Sequence, residues 1–333
     1  MEKLRIGLIG CGGMMNHHVN GLVTFDDIEV VAVADPLKER TDAMMKRTGA
    51  TRAYTVHKEL FAKEDALDAV YICVEPTAHN LIEETAIERN LPFMTEKPMT
   101  LDMSQGKAIA QAVEAKGLVT AVGFQDRYLD IVDRTKAELE DMQVGMVYGT
   151  WIGGVPQVWW WMRKDTCGAQ LMEQNIHLVD LLRYFFGEAK SVFATCGRGL
   201  VSKDEFPNTL PAYDTDDFSS ATFIFENGVV ANLMSGCFVK ENGNSIRNGL
   251  TIIGREKSLE YSLRESLSVY TAGTLAKYNC VVDQSVLHDR AFLDAVRAKD
   301  PTAVRSPYPD ALKSLLLADA ANRSMESGTL IKL

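Results

Sequence analysis

The 333-residue chain has no C-x-x-C pair, no apolar run long enough to span a membrane and no excess of basic residues. Its six cysteines (Cys11, Cys73, Cys167, Cys196, Cys237 and Cys280) are scattered, the pattern of a reduced, cytoplasmic protein. The first apolar stretch reads as a strand and not as the h-region of a secretion signal, so neither export nor membrane insertion is expected. Thirty-five Lys and Arg stand against 45 Asp and Glu, giving a formal net charge of -10 and a sequence pI of about 5.2. That balance argues against nucleic acid and anionic membranes as main partners. Internal repeats, low-complexity segments and flexible linkers are also missing. What remains is an ordinary globular composition, 46% hydrophobic and 24% charged, in a length that suggests two domains.

The most informative stretch is Leu4–Met15, LRIGLIGCGGMM. Leu4, Ile6, Leu8 and Ile9 form the short apolar run of a buried parallel strand. Gly10 permits the tight turn out of it. Gly12, without a Cβ, lets a pyrophosphate approach the start of the next helix, beside Gly13 and Met14, where free N–H groups and the helix dipole favour negative charge. Met15 stands at the third glycine position, altering the usual close helix–strand contact. A second strand, Ile28 to Ala34, ends in Asp35, where a dinucleotide fold places the carboxylate for the adenosine ribose hydroxyls. Asp35 would repel a ribose 2′-phosphate and Pro36 follows it, so NAD is favoured over NADP, a preference softened by Lys38 and Arg40.

Further along, Pro36–Gly49 reads as a helix, 69–74 as a strand, 77–89 as a helix and 92–95 as a strand. Leu101–Lys116 is helical, closing on Gly117, and 118–123 is the next strand. This alternation indicates a doubly wound parallel sheet over residues 1–124. The character then changes. A helix is expected over 130–140, a strand over 145–153, and one long helix from about Gly168 to Phe186. Strands 219–225 and 229–237 flank the hairpin signal Asn227-Gly228, and 250–253, 258–261 and 267–270 continue the pattern. Helices near 286–299 and 309–325 and a strand at 329–333 end the chain. Residues 125–333 therefore form an α+β domain.

Three clusters carry chemistry. Thr95-Glu96-Lys97-Pro98 follows a strand, and its Lys is placed either to orient a substrate hydroxyl and stabilise charge on its oxygen or simply to face solvent. In Gly168–Asp180, Glu173 and His177 are four apart, one turn on a helix. The carboxylate can orient the imidazole while it takes a proton from an alcohol; otherwise His177 is a core histidine satisfied by its neighbour. No third His, Cys or acid accompanies the pair at ligand spacing, so no metal is expected. Val158-Trp-Trp-Trp161-Met-Arg163 offers aromatic faces and a guanidinium to a polyhydroxylated ring, or packs against the sheet or another subunit. The acidic stretch Tyr213–Asp217 reads as a solvated loop more than as a pocket lining.

Together GLIGCGGMM, VADP, VEPTAHN, TEKP, GFQDRY and CGAQLMEQNIHLVDLLRYFFG resemble the glucose–fructose oxidoreductase, inositol dehydrogenase and rhizopine-catabolism family (Gfo/Idh/MocA), over essentially the whole chain. The resemblance implies a Rossmann domain followed by an α+β domain on an open, mainly antiparallel sheet that often mediates homo-oligomers. It also implies a nicotinamide cofactor and oxidation or reduction of a sugar or polyol. By that likeness Lys97 matches the catalytic-site lysine and His177 the proton-transferring histidine. Glu173 falls where most members carry Asp, and Asn175 where many carry Gly. Glu75, Pro76 and His79 match a segment near the nicotinamide, with Glu96, Lys97 and Gln125 also expected at the cofactor. Arg127, Trp161 and Arg163 are expected at the substrate with Lys97, Glu173 and His177. Two other readings stay open: elimination of a glycosidic bond through transient oxidation by bound NAD, and a non-catalytic sugar- or dinucleotide-sensing regulator.

Overall fold

Leu4–Ile9 (β1) pairs in parallel with Ile28–Ala34 (β2) on one side and Ala69–Ile72 (β4) on the other. With neighbours on both edges and helices on both faces its residues have nowhere polar to point, which is why the strand is almost wholly apolar. The structure, a computed structural model, describes residues 2–202, 213–240 and 247–333. By internal packing the chain forms two units, Met1–Tyr128 with Asp283–Leu312, and Leu129–Val282 with Lys313–Leu333.

In the first unit β1 and β2 alternate with α1 (Gly13–Leu22) and α2 (Lys38–Thr48), followed by β3 (Arg52–Tyr54), α3 (His57–Lys63), β4, α4 (Leu81–Glu88), β5 (Phe93–Thr95), α5 (Met103–Lys116) and β6 (Thr120–Val122). The strands form one parallel sheet in the order β3-β2-β1-β4-β5-β6, the doubly wound Rossmann arrangement expected. The helix ends are chemically marked. Asp102 accepts from Ser104 and Gln105 N–H at the start of α5, and Gly117 closes it in the left-handed region (φ 58°). β3 and α3 are short and largely exposed, and the sequence pattern does not single them out.

The second unit opens with α6 (Asp130–Leu139) and β7 (Val144–Gly153). A short helix α7 (Lys164–Cys167) follows, and then two pieces, α8 (Gln170–Glu173) and α9 (Ile176–Phe186), where one long helix was expected from about Gly168 to Phe186. Strands β8 (Ala189–Gly197), β9 (Phe218–Phe225), β10 (Val230–Cys237), β11 (Gly249–Gly254), β12 (Lys257–Ser262), β13 (Ser266–Thr271) and β14 (Thr274–Asn279) build most of the sheet. Its order is β14-β13-β12-β11-β7-β10-β9-β8-β15, with β15 at Ile331–Lys332. All pairings are antiparallel except β7 with β10. The Asn227-Gly228 turn joins β9 to β10 as expected, with Gly228 at φ 91°.

Helices α10 (Gln284–Ala298) and α11 (Tyr308–Ser327) follow β14. A single division after residue 124 does not describe the chain, because Asp283–Leu312 returns to the first unit. The cause is hydrophobic: Phe292, Leu293 and Val296 of α10 are buried in one cluster with Leu4, Ile6, Val19 and Tyr71. A linear pattern shows that α10 is amphipathic but not which core receives it.

Candidate active site

Gly10 ends β1 at φ 80°, and a Cβ there would lie 2.2 Å from the carbonyl oxygen of Cys73, so only glycine fits. Gly12 is the N-cap of α1 in an extended conformation, with no side-chain cap and no acid in the first turn. A Cβ on Gly12 would meet only Arg40 Nη1 at 3.9 Å, and one on Gly13 nothing within 4 Å. The backbone at the start of the helix is therefore open to close approach, as an anionic pyrophosphate requires. Asp35 braces this turn: Oδ2 accepts from Cys11 N–H (2.8 Å) and Oδ1 from Leu37 N–H (2.9 Å), with Arg40 3.9 Å away. Each carboxylate oxygen keeps a lone pair for a ribose hydroxyl. Among the described residues, Gln125 Oε1 and His79 Nε2 are buried without hydrogen-bond partners. These features fit a dinucleotide. Met15 departs from the expected cofactor contact: its side chain is wholly buried in the core, filling the space a third glycine leaves, while Met14 is exposed.

The segment after β4 is not one helix from Thr77. Pro76–Ala78 makes a 3₁₀ turn, Asn80 takes φ 82°, and its N–H donates to Glu83 Oε2 (2.7 Å) to start α4. Glu83 Oε1 also accepts from the Thr95 hydroxyl (2.7 Å) and faces His79 Nδ1 (2.7 Å), so the carboxylate ties α4 to the end of β5. Burial alone would raise the Glu83 carboxyl, but the His79 ring and the Thr95 hydroxyl outweigh it and hold it below its usual range. Pro76 and His79 are buried and Glu75 partly so.

At the β5 end, Glu96 N–H donates to Ile72 O (2.9 Å), and the Lys97–Pro98 peptide is cis. Lys97 is partly buried. Glu96 and Arg127 differ from expectation. Glu96 points inward and bonds His18 (3.0 Å), so its carboxylate is committed beneath the turn and not offered to a cofactor. The Arg127 guanidinium is buried against Asp310 Oδ2 (2.6 Å) and the Arg305 carbonyl (2.5 Å), which makes it a framework cation instead of a substrate contact.

In the second unit, Gly168 (φ 76°) and Ala169 (φ 73°) break the chain between α7 and α8. A second break follows one turn later. Gln174 and Asn175 N–H both donate to Gln170 O, and the Asn175 carbonyl then accepts from Leu178 and Val179 N–H to begin α9. Asn and Gly compete poorly for helix interiors, which is the physical reason the long helix divides. Glu173 thus closes α8 while His177 lies in the first turn of α9, so the two do not share a helix face as the spacing implied. Both are buried. The His177 ring stacks on Trp151 of β7, with centroids 5.7 Å apart at 30°, and the Arg264 guanidinium lies 5.6 Å from the Trp151 ring. Asn175 is fully buried, and neither side-chain polar atom finds a partner among the described residues.

Around them, Gln170 Oε1 accepts from Trp161 Nε1–H (3.0 Å) and from the Cys237 thiol (2.9 Å). Arg163 is spent partly on Asp165 (2.7 Å). The acidic stretch is not a solvated loop: Thr215, Asp216 and Asp217 are buried. Asp214 accepts from Lys164 N–H (2.6 Å) and Asp217 from Leu200 N–H (2.6 Å), so main-chain donors carry the carboxylates inward. Burial pushes Asp216 above its ordinary range. The sequence pattern places Trp151 in a strand and Gln170 in the Gly168–Asp180 cluster, but not their contacts with His177 and Trp161, which depend on packing between elements. No group of three His, Cys, Asp or Glu among the described residues is arranged for a metal ion. No helix among them is long and apolar enough to cross a membrane.

The chain has known relatives in sequence and in fold. The scyllo-inositol 2-dehydrogenase (NAD(+)) of Bacillus subtilis (strain 168) is 24% identical over 100% of this chain and 97% of its own length. Glucose-6-phosphate 3-dehydrogenase from the same organism is 23% identical over 86% and 82%. Levoglucosan dehydrogenase, solved in complex with NADH and L-sorbose, superposes with a TM-score of 0.87 at 19% identity, covering 100% of this chain and 99% of that one. The family described as "Oxidoreductase family, NAD-binding Rossmann fold" matches residues 4–124, and the "GFO/IDH/MocA C-terminal domain" matches residues 142–260. The chain therefore belongs to the GFO/IDH/MocA family of NAD-binding oxidoreductases.

Proposed function

We propose that the protein is an NAD-dependent dehydrogenase that oxidises a CH–OH group of a sugar or polyol to a carbonyl. The observation that carries this reading is likeness along the whole length, through both units, to a scyllo-inositol dehydrogenase. Bound NAD, held by the Gly12–Gly13 turn, Asp35 and the segment around Pro76, supplies the hydride acceptor. The protein's own residues manage the proton and the oxygen. Lys97 holds the hydroxyl and stabilises negative charge on its oxygen as the C–H bond is lost. A ring nitrogen of His177 takes the hydroxyl proton, so that one hydride and one proton leave and a C=O bond forms. Glu173 assists His177 electrostatically, and Trp161 and Arg163 contact the sugar ring. Asp35 disfavours a 2′-phosphate, so NADP is the weaker cofactor.

A homo-oligomer through the second unit's sheet is part of the same proposal. Met146, Tyr148, Val230 and Met234 are exposed on β7 and β10, with Val230 opposite Met146, apolar surface that rewards covering. The six free cysteines support a reducing, cytoplasmic setting. NADH appearance across inositols, aldoses, anhydrosugars and glycosides, with His177→Ala alongside, tests the reaction. Turnover on one group, lost in the variant, is the expected result. Glycoside cleavage without net NADH would overturn it.

A further inference from the structure

Under the Lys97 turn lies a buried charge cluster that the dehydrogenase reading does not use. His18, on the inner face of α1, is 2% exposed. Its Nδ1 lies 2.8 and 3.1 Å from the two oxygens of Asp289 on α10, and its Nε2 lies 3.0 Å from Glu96 Oε1. Asp289 and Glu96 are 0% and 3% exposed, so solvent does not answer for either carboxylate. A neutral imidazole has one N–H and would turn a lone pair toward the second carboxylate. Only the imidazolium donates to both. Burial alone would lower the His18 pKa, but Asp289 and Glu96 outweigh it and push it up to about 10. Around His18, Tyr71 meets the ring edge-on at 5.8 Å, the His17 ring lies 6.4 Å away, Cys73 is buried, and the Lys97 charge acts on Glu96. His288, 6.5 Å away, is driven down to about 4, first by burial and then by the His18 charge.

The other end of Glu96 faces Lys97. Its Oε2 accepts from the Lys97 backbone N–H (3.3 Å), and its carboxyl fills the space above Gly123, where a Cβ would fall 2.5 Å from both oxygens. Glu96 is thus clamped on all sides: by His18 at one oxygen, by Lys97 N–H at the other, and by the bare backbone of Gly123 beneath.

We propose that His18 is a positioning residue for Lys97: anchored by Asp289, it fixes the Glu96 carboxylate, which in turn fixes the backbone from which Lys97 reaches the substrate oxygen. The proposal rests on the reading of Lys97 given above. It also connects the helix that begins at the cofactor turn with the residue that handles the hydroxyl.

Glu96→Gln is the direct test, because it keeps size and removes a buried charge without leaving one unpaired. His18 and Lys97 N–H meet different carboxylate oxygens, and the amide puts an oxygen at only one of these positions and an NH2 donor at the other, so it cannot accept from both where they stand. We expect kcat to fall by about ten- to a hundredfold, at or below the low end of what a directly acting proton-transfer group contributes, because Glu96 acts through Lys97. The NADH dissociation constant, from fluorescence titration, and KM for substrate should stay within about threefold. In the unaltered protein, ¹⁵N NMR at pH 8 should show both His18 ring nitrogens protonated, assigned by their loss in His18→Gln. Full turnover in Glu96→Gln, while Lys97→Ala is inactive, would overturn the positioning role. So would a parallel loss of NADH binding and kcat, or a single protonated nitrogen. Full turnover in Lys97→Ala would remove the Lys97 reading and this role with it, but would leave the imidazolium signals standing, so the two failures are distinguishable.

Discussion

Lys97 and His177 are carried by opposite kinds of backbone. Lys97 follows a strand flanked on both sides by parallel neighbours, and its turn is held from β4, α1 and β6, elements far away in sequence. His177 sits just after two breaks within ten residues, where the chain changes hydrogen-bonding partner at Gln170 and again at Asn175. The Lys97 backbone is held by contacts distant in sequence, whereas the backbone at His177 follows a local interruption of the helix. The lesson is that a strand end is stiff because many residues hold it, whereas a helix restart is only as fixed as what its first turn packs against.

The sharpest test of that contrast is functional. Lys97→Ala and His177→Ala should each lower kcat by about 10²- to 10⁴-fold, measured as NADH formation at saturating cofactor. Gly10→Ala should come next, because the new Cβ meets the Cys73 carbonyl and alanine resists φ 80°. Urea unfolding should show a loss on the order of 3 kcal/mol, with NADH binding lost in parallel.

A third expectation concerns pH. His18 keeps its proton in the folded protein up to about 10, against 6.5 in the open chain, so its contribution to stability is full below 6.5 and is lost as pH rises toward about 10. His288 is held neutral down to about 4, so the folded state loses stability as pH falls from 6.5 toward 4. Unfolding midpoints across pH should therefore fall away on both sides of about 6.5 from this pair, and Asp289→Asn should flatten the alkaline limb. A fixed alkaline limb in that variant would assign it to other groups.

Smaller effects separate the two backbones further. Trp151→Ala should reduce kcat by about two- to tenfold through loss of the ring that His177 stacks on, and Trp151→Phe should restore most of it. If both variants keep full activity, the restart of α9 needs no aromatic floor. Arg163→Ala should change unfolding free energy by less than about 0.5 kcal/mol, since its Asp165 pair is solvent-exposed, so any rise in KM it causes reports on substrate contact.

Much of the first unit was legible. Apolar runs, the bare glycines at 10 and 12 and the acid at 35 are each demanded by local physics, and the parallel sheet follows from their alternation. Lys97 was visible because a charged residue straight after a buried strand is conspicuous. The second site was only half legible. The pattern from Gly168 to Phe186 is continuous enough to suggest one helix, and nothing in the spacing reveals that Ala169 takes φ 73° or that Asn175 restarts the ladder. Asp216 and Asp217 read as solvated because charge predicts exposure; Asp217 is paid for by main-chain donors from residues 200 and 201. His18 was hidden in plain view, since its partners stand 78 and 271 positions away.

That last separation bears on how the protein is made. Asp289 and the apolar residues of α10 that complete the first unit's core are synthesised after the entire stretch Leu129–Val282. On the ribosome, His18 emerges long before the Asp289 carboxylate it pairs with in the complete fold. Residues 2–128 therefore lack part of their core until α10 is made, and a nascent chain stalled before α10 would present its cofactor turn on an unfinished core.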